Sequence, residues 1–165
     1  NILAGRKIAK TGNEPAVTKQ QQRIRIEEKF FLMDTPGFLW PRLYPEECGY
    51  RLAVTGAIKD KVIAYEDIAY FAAEYLLAHY PNDVQARYKL EELPSEVTPL
   101  MDAIAARRGC LARGGMTNLQ KVCELFIREF RQGKIGRLSL ETPSYIDEEL
   151  ERAEREKRDK SRTRE

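Results

Sequence analysis

Apolar residues follow two different spacings along this chain. Near the start they alternate or run together, and from about residue 48 they recur at helical intervals. Residues 1–20 read as a helix end closed by Gly5, then a polar loop punctuated by Gly12, Asn13 and Pro15. Gln22 to Ile26 alternates as a strand does, Glu27-Glu28 can turn it, and Phe30-Phe31-Leu32-Met33 predicts a buried second strand ending at Asp34. Residues 36–47 hold three prolines and predict a loop. The stretch 65–80 carries Ile68, Phe71, Ala72, Tyr75, Leu76 and His79 on one helical stripe, and Pro81 stops it. A further helix is signalled by Thr98 as N-cap, Pro99 at the first helical position and Gly109 as the closing glycine. The strongest periodicity covers 118–132. There Leu119, Val122, Cys123, Phe126, Ile127 and Phe130 make one face, Thr117 and Gln120 suggest a capping box, and Gly133 ends the helix. From Glu148 to Glu165 nearly every residue is charged, with mixed sign, which fits a solvated helix or a disordered tail.

Composition narrows the function classes. At 165 residues the chain suits one ordinary domain or two small ones. Charged residues make up 33 %, yet the net charge is only +2, so the distribution of charge matters more than its sum. Cys48, Cys110 and Cys123 form no CxxC pair, and there is one histidine. That speaks against a zinc site and a disulfide framework, and fits a reducing compartment. No apolar run has the length of a membrane span. A soluble intracellular protein is expected, and the start at Asn1 within a helix end suggests further sequence upstream.

Asp34-Thr35-Pro36-Gly37 carries the chemistry. An aspartate at the end of a buried strand can hold a magnesium ion, usually through water. A glycine after it lets a backbone N–H approach a terminal phosphate. Thr18, in the polar loop before the hairpin, stands where a hydroxyl could complete the magnesium shell. The same four residues are also what a strand followed by a Pro-Gly turn looks like.

Taken together, several segments resemble the YlqF/RbgA family of ribosome biogenesis GTPases. They are Lys7-Ile-Ala-Lys-Thr-Gly12, Pro15-Ala-Val-Thr18, Asp34-Thr-Pro-Gly37, Leu39-Trp40-Pro41 and Arg51-Leu-Ala-Val-Thr-Gly-Ala-Ile-Lys59. Arg108-Gly-Cys110, Gly114-Gly115 and Gly136-Arg-Leu138 extend the likeness to about residue 145. The resemblance implies circularly permuted GTPase motifs: guanine-specifying motifs first, then the phosphate loop, the two switches and a helical C-terminal domain. On that order the phosphate loop lies upstream of Asn1. No GxxxxGK[ST] and no Asn-Lys-x-Asp occurs in these 165 residues, and Ala16 replaces the glycine usual in switch one. The resemblance assigns Asp34, Pro36, Gly37 and Thr18 to GTP, with Thr18 and Asp34 on Mg2+. Phe38 falls where Ras-like enzymes carry a water-orienting glutamine. It cannot bond to water, so something else would position the water, and Phe38 is expected either to pack into the core after the turn or to act as a gate.

The implied fold is α+β. Residues 1–60 are part of an α/β P-loop GTPase domain, a β-hairpin with switch loops; 61–145 are an all-α RNA-binding domain; 146–165 are a charged, mobile tail. The expected partners are GTP, large-subunit rRNA and the large-subunit precursor, for a monomer in the cytoplasm or an organellar matrix, with no membrane. Arg108, Arg113, Lys121, Arg128, Arg131, Lys134 and Arg137 are the candidate RNA contacts, with glycines between them that let backbone approach phosphate. His79 is expected to be a packed, hydrogen-bonded core residue. The rival reading is a non-catalytic helical module that binds RNA or protein, in which Asp-Thr-Pro-Gly is only a turn.

Overall fold

The computed structural model describes residues 5, 19–26, 28–37, 39, 43–58 and 64–162. The helix end before Gly5, the loop with Thr18, Phe38, the Trp40-Pro41 pair and Lys59 lie outside them. Gly5 itself has φ +60°.

Strands β1 (Gln22–Arg25) and β2 (Phe31–Asp34) pair antiparallel in the predicted hairpin, with Ile24 opposite Leu32 and Gln22 opposite Asp34. The Arg23 guanidinium lies 3.9 Å over the Phe31 ring. The second strand is not buried, contrary to the expectation from its apolar run. Phe30, Phe31 and Met33 are 61, 41 and 50 % exposed. The sheet has only these two strands among the described residues, and no described element packs as a second layer on it.

Six helices follow among the described residues: α1 (Glu47–Val54), α2 (Tyr65–His79), α3 (Pro81–Tyr88), α4 (Val97–Arg108), α5 (Leu119–Arg131) and α6 (Pro143–Arg162). Helix α2 is central and packs on α1, α3, α4 and α5. Its alanines Ala69, Ala72 and Ala73 are fully buried, and their small size lets neighbouring helices approach. Ile68, Leu76, Leu100, Met101, Ile104, Val122, Phe126 and Ile127 fill the same core. Ala53 and Val54 of α1 belong to it too, although the sequence places them before the division at residue 60.

Three local expectations are corrected. Helix α4 starts at Val97 with Glu96 as its cap residue, not with Thr98. Pro99 therefore sits in the first turn, where a missing N–H is tolerated. Helix α5 has no Thr117–Gln120 capping box. Asn118 is the N-cap, its side-chain oxygen accepting from the Lys121 N–H at 3.0 Å, while Thr117 donates to Asp102 and Gln120 to Glu124. His79 is exposed rather than a core residue, because it ends α2 where the core ends. Its ring leans on Tyr75 at 4.4 Å and meets Tyr145 edge-on. Pro81 ends α2 as predicted, and it also opens α3, which the sequence did not reveal.

The charged C-terminal segment is a helix, one of the two forms its composition allows. Its first turns are docked. Glu149 is buried and accepts from the Arg51 guanidinium of α1, which also bonds Glu141 at 2.9 Å. Farther along, the Arg155–Glu151 and Arg158–Glu154 pairs are exposed and one helical turn apart.

Candidate functional site

Two sites emerge at opposite levels of definition. The first is the end of β2. Pairing with Gln22 fixes the backbone of Asp34, whose side chain is half-buried. Thr35, Pro36 and Gly37 then leave the sheet as irregular chain, and a Cβ built on Gly37 would meet nothing within 4 Å. Among the described residues, nothing occupies the space beside the Gly37 backbone. One carboxylate also suits magnesium, which takes one or two from the protein and completes its shell with water and phosphate. Among the described residues no group of three or more potential metal ligands gathers. Asp34, Pro36 and Gly37 are thus contiguous at one strand end, and Thr18 lies outside the described residues.

The second site is the basic surface. Of the seven predicted RNA contacts, Arg113, Lys121, Arg128, Lys134 and Arg137 are exposed, and Arg108 and Arg131 are half-buried. Arg131, Lys121 and Arg108 have structural partners. Arg131 donates to the carbonyls of Ala53 and Val54, capping the C-terminal end of α1. Lys121 donates its ammonium to the Gly109 carbonyl at 2.9 Å, closing α4 onto α5. Arg108 reaches Glu129 at 3.4 Å and lies over the Tyr88 ring.

Sequence reasoning missed the centre of that last group. Glu129 is 6 % exposed and is gripped by Arg87 through both carboxylate oxygens, at 2.7 and 3.0 Å. Burial alone would raise its pKa, but Arg87 and Arg108 outweigh burial and hold the carboxyl below its usual range. The Tyr88 hydroxyl is buried beside it, and burial, then the nearby carboxylate, pushes its pKa up. A signal existed: Glu129 follows Val122 by seven residues and Phe126 by three, on the apolar face of α5.

Residues 1–97, which include Asp34–Gly37 and α1 to α3, match a family model described as 50S ribosome-binding GTPase. The chain belongs to that family of GTPases. Among the family's curated members, it is similar to Ribosome biogenesis GTPase A of Priestia megaterium, 47 % identical over 91 % of this chain and 52 % of that protein. It is also similar to the protein of the same name from Thermotoga maritima, at 29 % over 88 % and 52 %. Mitochondrial ribosome-associated GTPase 1 of Bos taurus shares 28 % over 82 % and 45 %. A solved GDP-bound structure of TM YlqF matches with a TM-score of 0.54 and 26 % identity, over 75 % of this chain and 50 % of that one. The chain spans about half the length of the curated relatives it matches. The family match runs through Asp34–Gly37.

No helix among the described residues is long and apolar enough to cross a membrane.

Proposed function

We propose that this chain is the switch portion and helical domain of a GTPase that assists assembly of the large ribosomal subunit in the cytoplasm or an organellar matrix. One observation carries the reading: a GTPase family match runs through a strand-end aspartate followed by a glycine that no other described residue crowds. Asp34 would hold Mg2+, through water, and Gly37 would present its N–H to the terminal phosphate beside Pro36, with Thr18 closing over the metal. Magnesium, when bound with GTP, neutralises charge on the phosphates. The same segment continues in sequence to α1, whose Ala53 and Val54 lie in the helical core, so a change at the switch has a covalent path into the helical body. Arg113, Arg128, Lys134 and Arg137 give that body its affinity for large-subunit rRNA, while Arg108, Lys121 and Arg131 hold the surface in shape.

The test uses nucleotide. These 165 residues contain no phosphate loop, which supplies most contacts to the β-phosphate, so the chain alone should show no micromolar, magnesium-dependent GTP affinity by calorimetry. In the longer protein that contains both the phosphate loop and this chain, Asp34→Ala should abolish hydrolysis with an unchanged circular dichroism spectrum. Micromolar binding by the chain alone would show that nothing essential is missing. Unchanged turnover of the Asp34 variant would remove this residue from the site.

A further inference from the structure

The net charge of +2 conceals a strong asymmetry. Between Ala103 and Leu140 there are eight basic residues and two acidic ones, and Glu129 is already engaged by Arg87 and Arg108. From Arg107 to Lys121 there are four cations and no carboxylate. At the centre of that stretch the chain forms a small, well-anchored hairpin. Leu111 and Thr117 pair in an antiparallel bridge, and the Ala112 N–H donates to the Met116 carbonyl at 2.8 Å. Its base is held on both strands. Cys110 is buried with its N–H on the Ala105 carbonyl and its own carbonyl accepting from Asn118, and Thr117 donates to Asp102. Its tip is Arg113-Gly114-Gly115, with φ of +86° and +80° at the two glycines. Side chains are strained at such φ, although a Cβ at either glycine would meet nothing within 4 Å. The tip therefore presents bare backbone to open space. Beside it Met116 is 70 % exposed, on the face opposite Leu111.

We propose that residues 111–117 are a prong that enters the shallow minor groove of an RNA helix. Arg113 meets backbone phosphate, the two glycines let the main chain approach sugar edges, and Met116 packs on sugars and base edges. An A-form minor groove is wide and shallow enough to admit such a tip, and apolar side chains, methionine among them, serve as wedges against base steps in DNA minor-groove binders. A protein partner fits less well. Leu111 and Met116 face opposite sides of the hairpin, so they do not merge into the contiguous apolar patch that protein interfaces use. This inference rests on the rRNA reading above and names the element that touches the RNA.

The test compares salt dependence, because an apolar contact and a phosphate contact leave different traces. The 165-residue chain is titrated with deproteinised bacterial large-subunit rRNA by filter binding at several salt concentrations, with circular dichroism confirming the fold. Met116→Ser should weaken binding about tenfold with no change in salt slope, and Met116→Leu should stay near wild type. Arg113→Gln should weaken binding and lower the slope by about 0.7–0.9. Met116→Ser binding like wild type would overturn the prong while leaving the rRNA reading intact. Weaker binding to intact large subunits with unchanged binding to naked rRNA would assign Met116 to a protein contact and also overturn it. A wild-type chain with no salt-dependent rRNA affinity would bring down the underlying reading as well.

Discussion

The hairpin and the helical body treat the same residue types in opposite ways. Phe31 and Met33 of β2 stand 41 and 50 % exposed, whereas Phe126 and Met101 of the helices are wholly buried. An amphipathic helix in this chain finds its partner within the chain: α5 lies on α2 and α4, and α1 lies on α2. A two-stranded sheet has no such layer among the described residues. An apolar run tells which residues can be buried; a second layer decides whether they are.

The largest test of that contrast is paired truncation. Phe126→Ala should destabilise the chain by about 3–5 kcal/mol through reduced burial and a cavity. Phe31→Ala, on the hairpin, should cost under about 1 kcal/mol. Urea unfolding followed by circular dichroism measures both, and equal destabilisation would mean that the hairpin shares the helical core.

A buried carboxylate of the helical body gives a smaller effect. Glu129 is held below its usual range by Arg87 and Arg108. Its stabilisation is therefore fully present above the unfolded carboxylate value of about 4.3 and is lost as pH falls through the lower folded value. Glu129→Gln should cost about 2 kcal/mol at neutral pH, since it leaves two partly buried guanidiniums without an anion, and should flatten the acid limb of the stability profile.

How much was legible in the sequence depended on how local the cause was. The cores of α2 and α5 follow from period alone, and Gly109 and Gly133 mark the stops of α4 and α5 because each takes a positive φ. The Asp34–Gly37 motif was legible together with the segments that resemble a known GTPase family. Helix α3 was hidden because eight residues give too few turns for a pattern to show. Cap residues were misplaced at α4 and α5 because Thr98 and Thr117 can cap a helix, yet each hydroxyl faces another partner, Tyr70 and Asp102. The clamps made by Arg51 with Glu149 and by Arg87 with Glu129 join residues 98 and 42 positions apart. No local pattern announces such pairs. The same limit split the candidate RNA contacts: a positive charge is visible in sequence, but its engagement with a carbonyl at α1 or α4 is not.

Everything proposed for the helical body depends on its exposed basic residues binding large-subunit rRNA without help from nucleotide. The direct measurement is the affinity of the 165-residue chain for deproteinised large-subunit rRNA across salt concentrations, for wild type and for Arg113→Glu, Arg128→Glu, Lys134→Glu and Arg137→Glu combined. These side chains are exposed and make no ion pair among the described residues, so the variant should keep its fold. Binding should be at least about a hundredfold weaker at low salt, with a slope smaller by about 0.7–0.9 for each phosphate that is no longer neutralised. A folded variant that keeps the affinity and slope of wild type would contradict it.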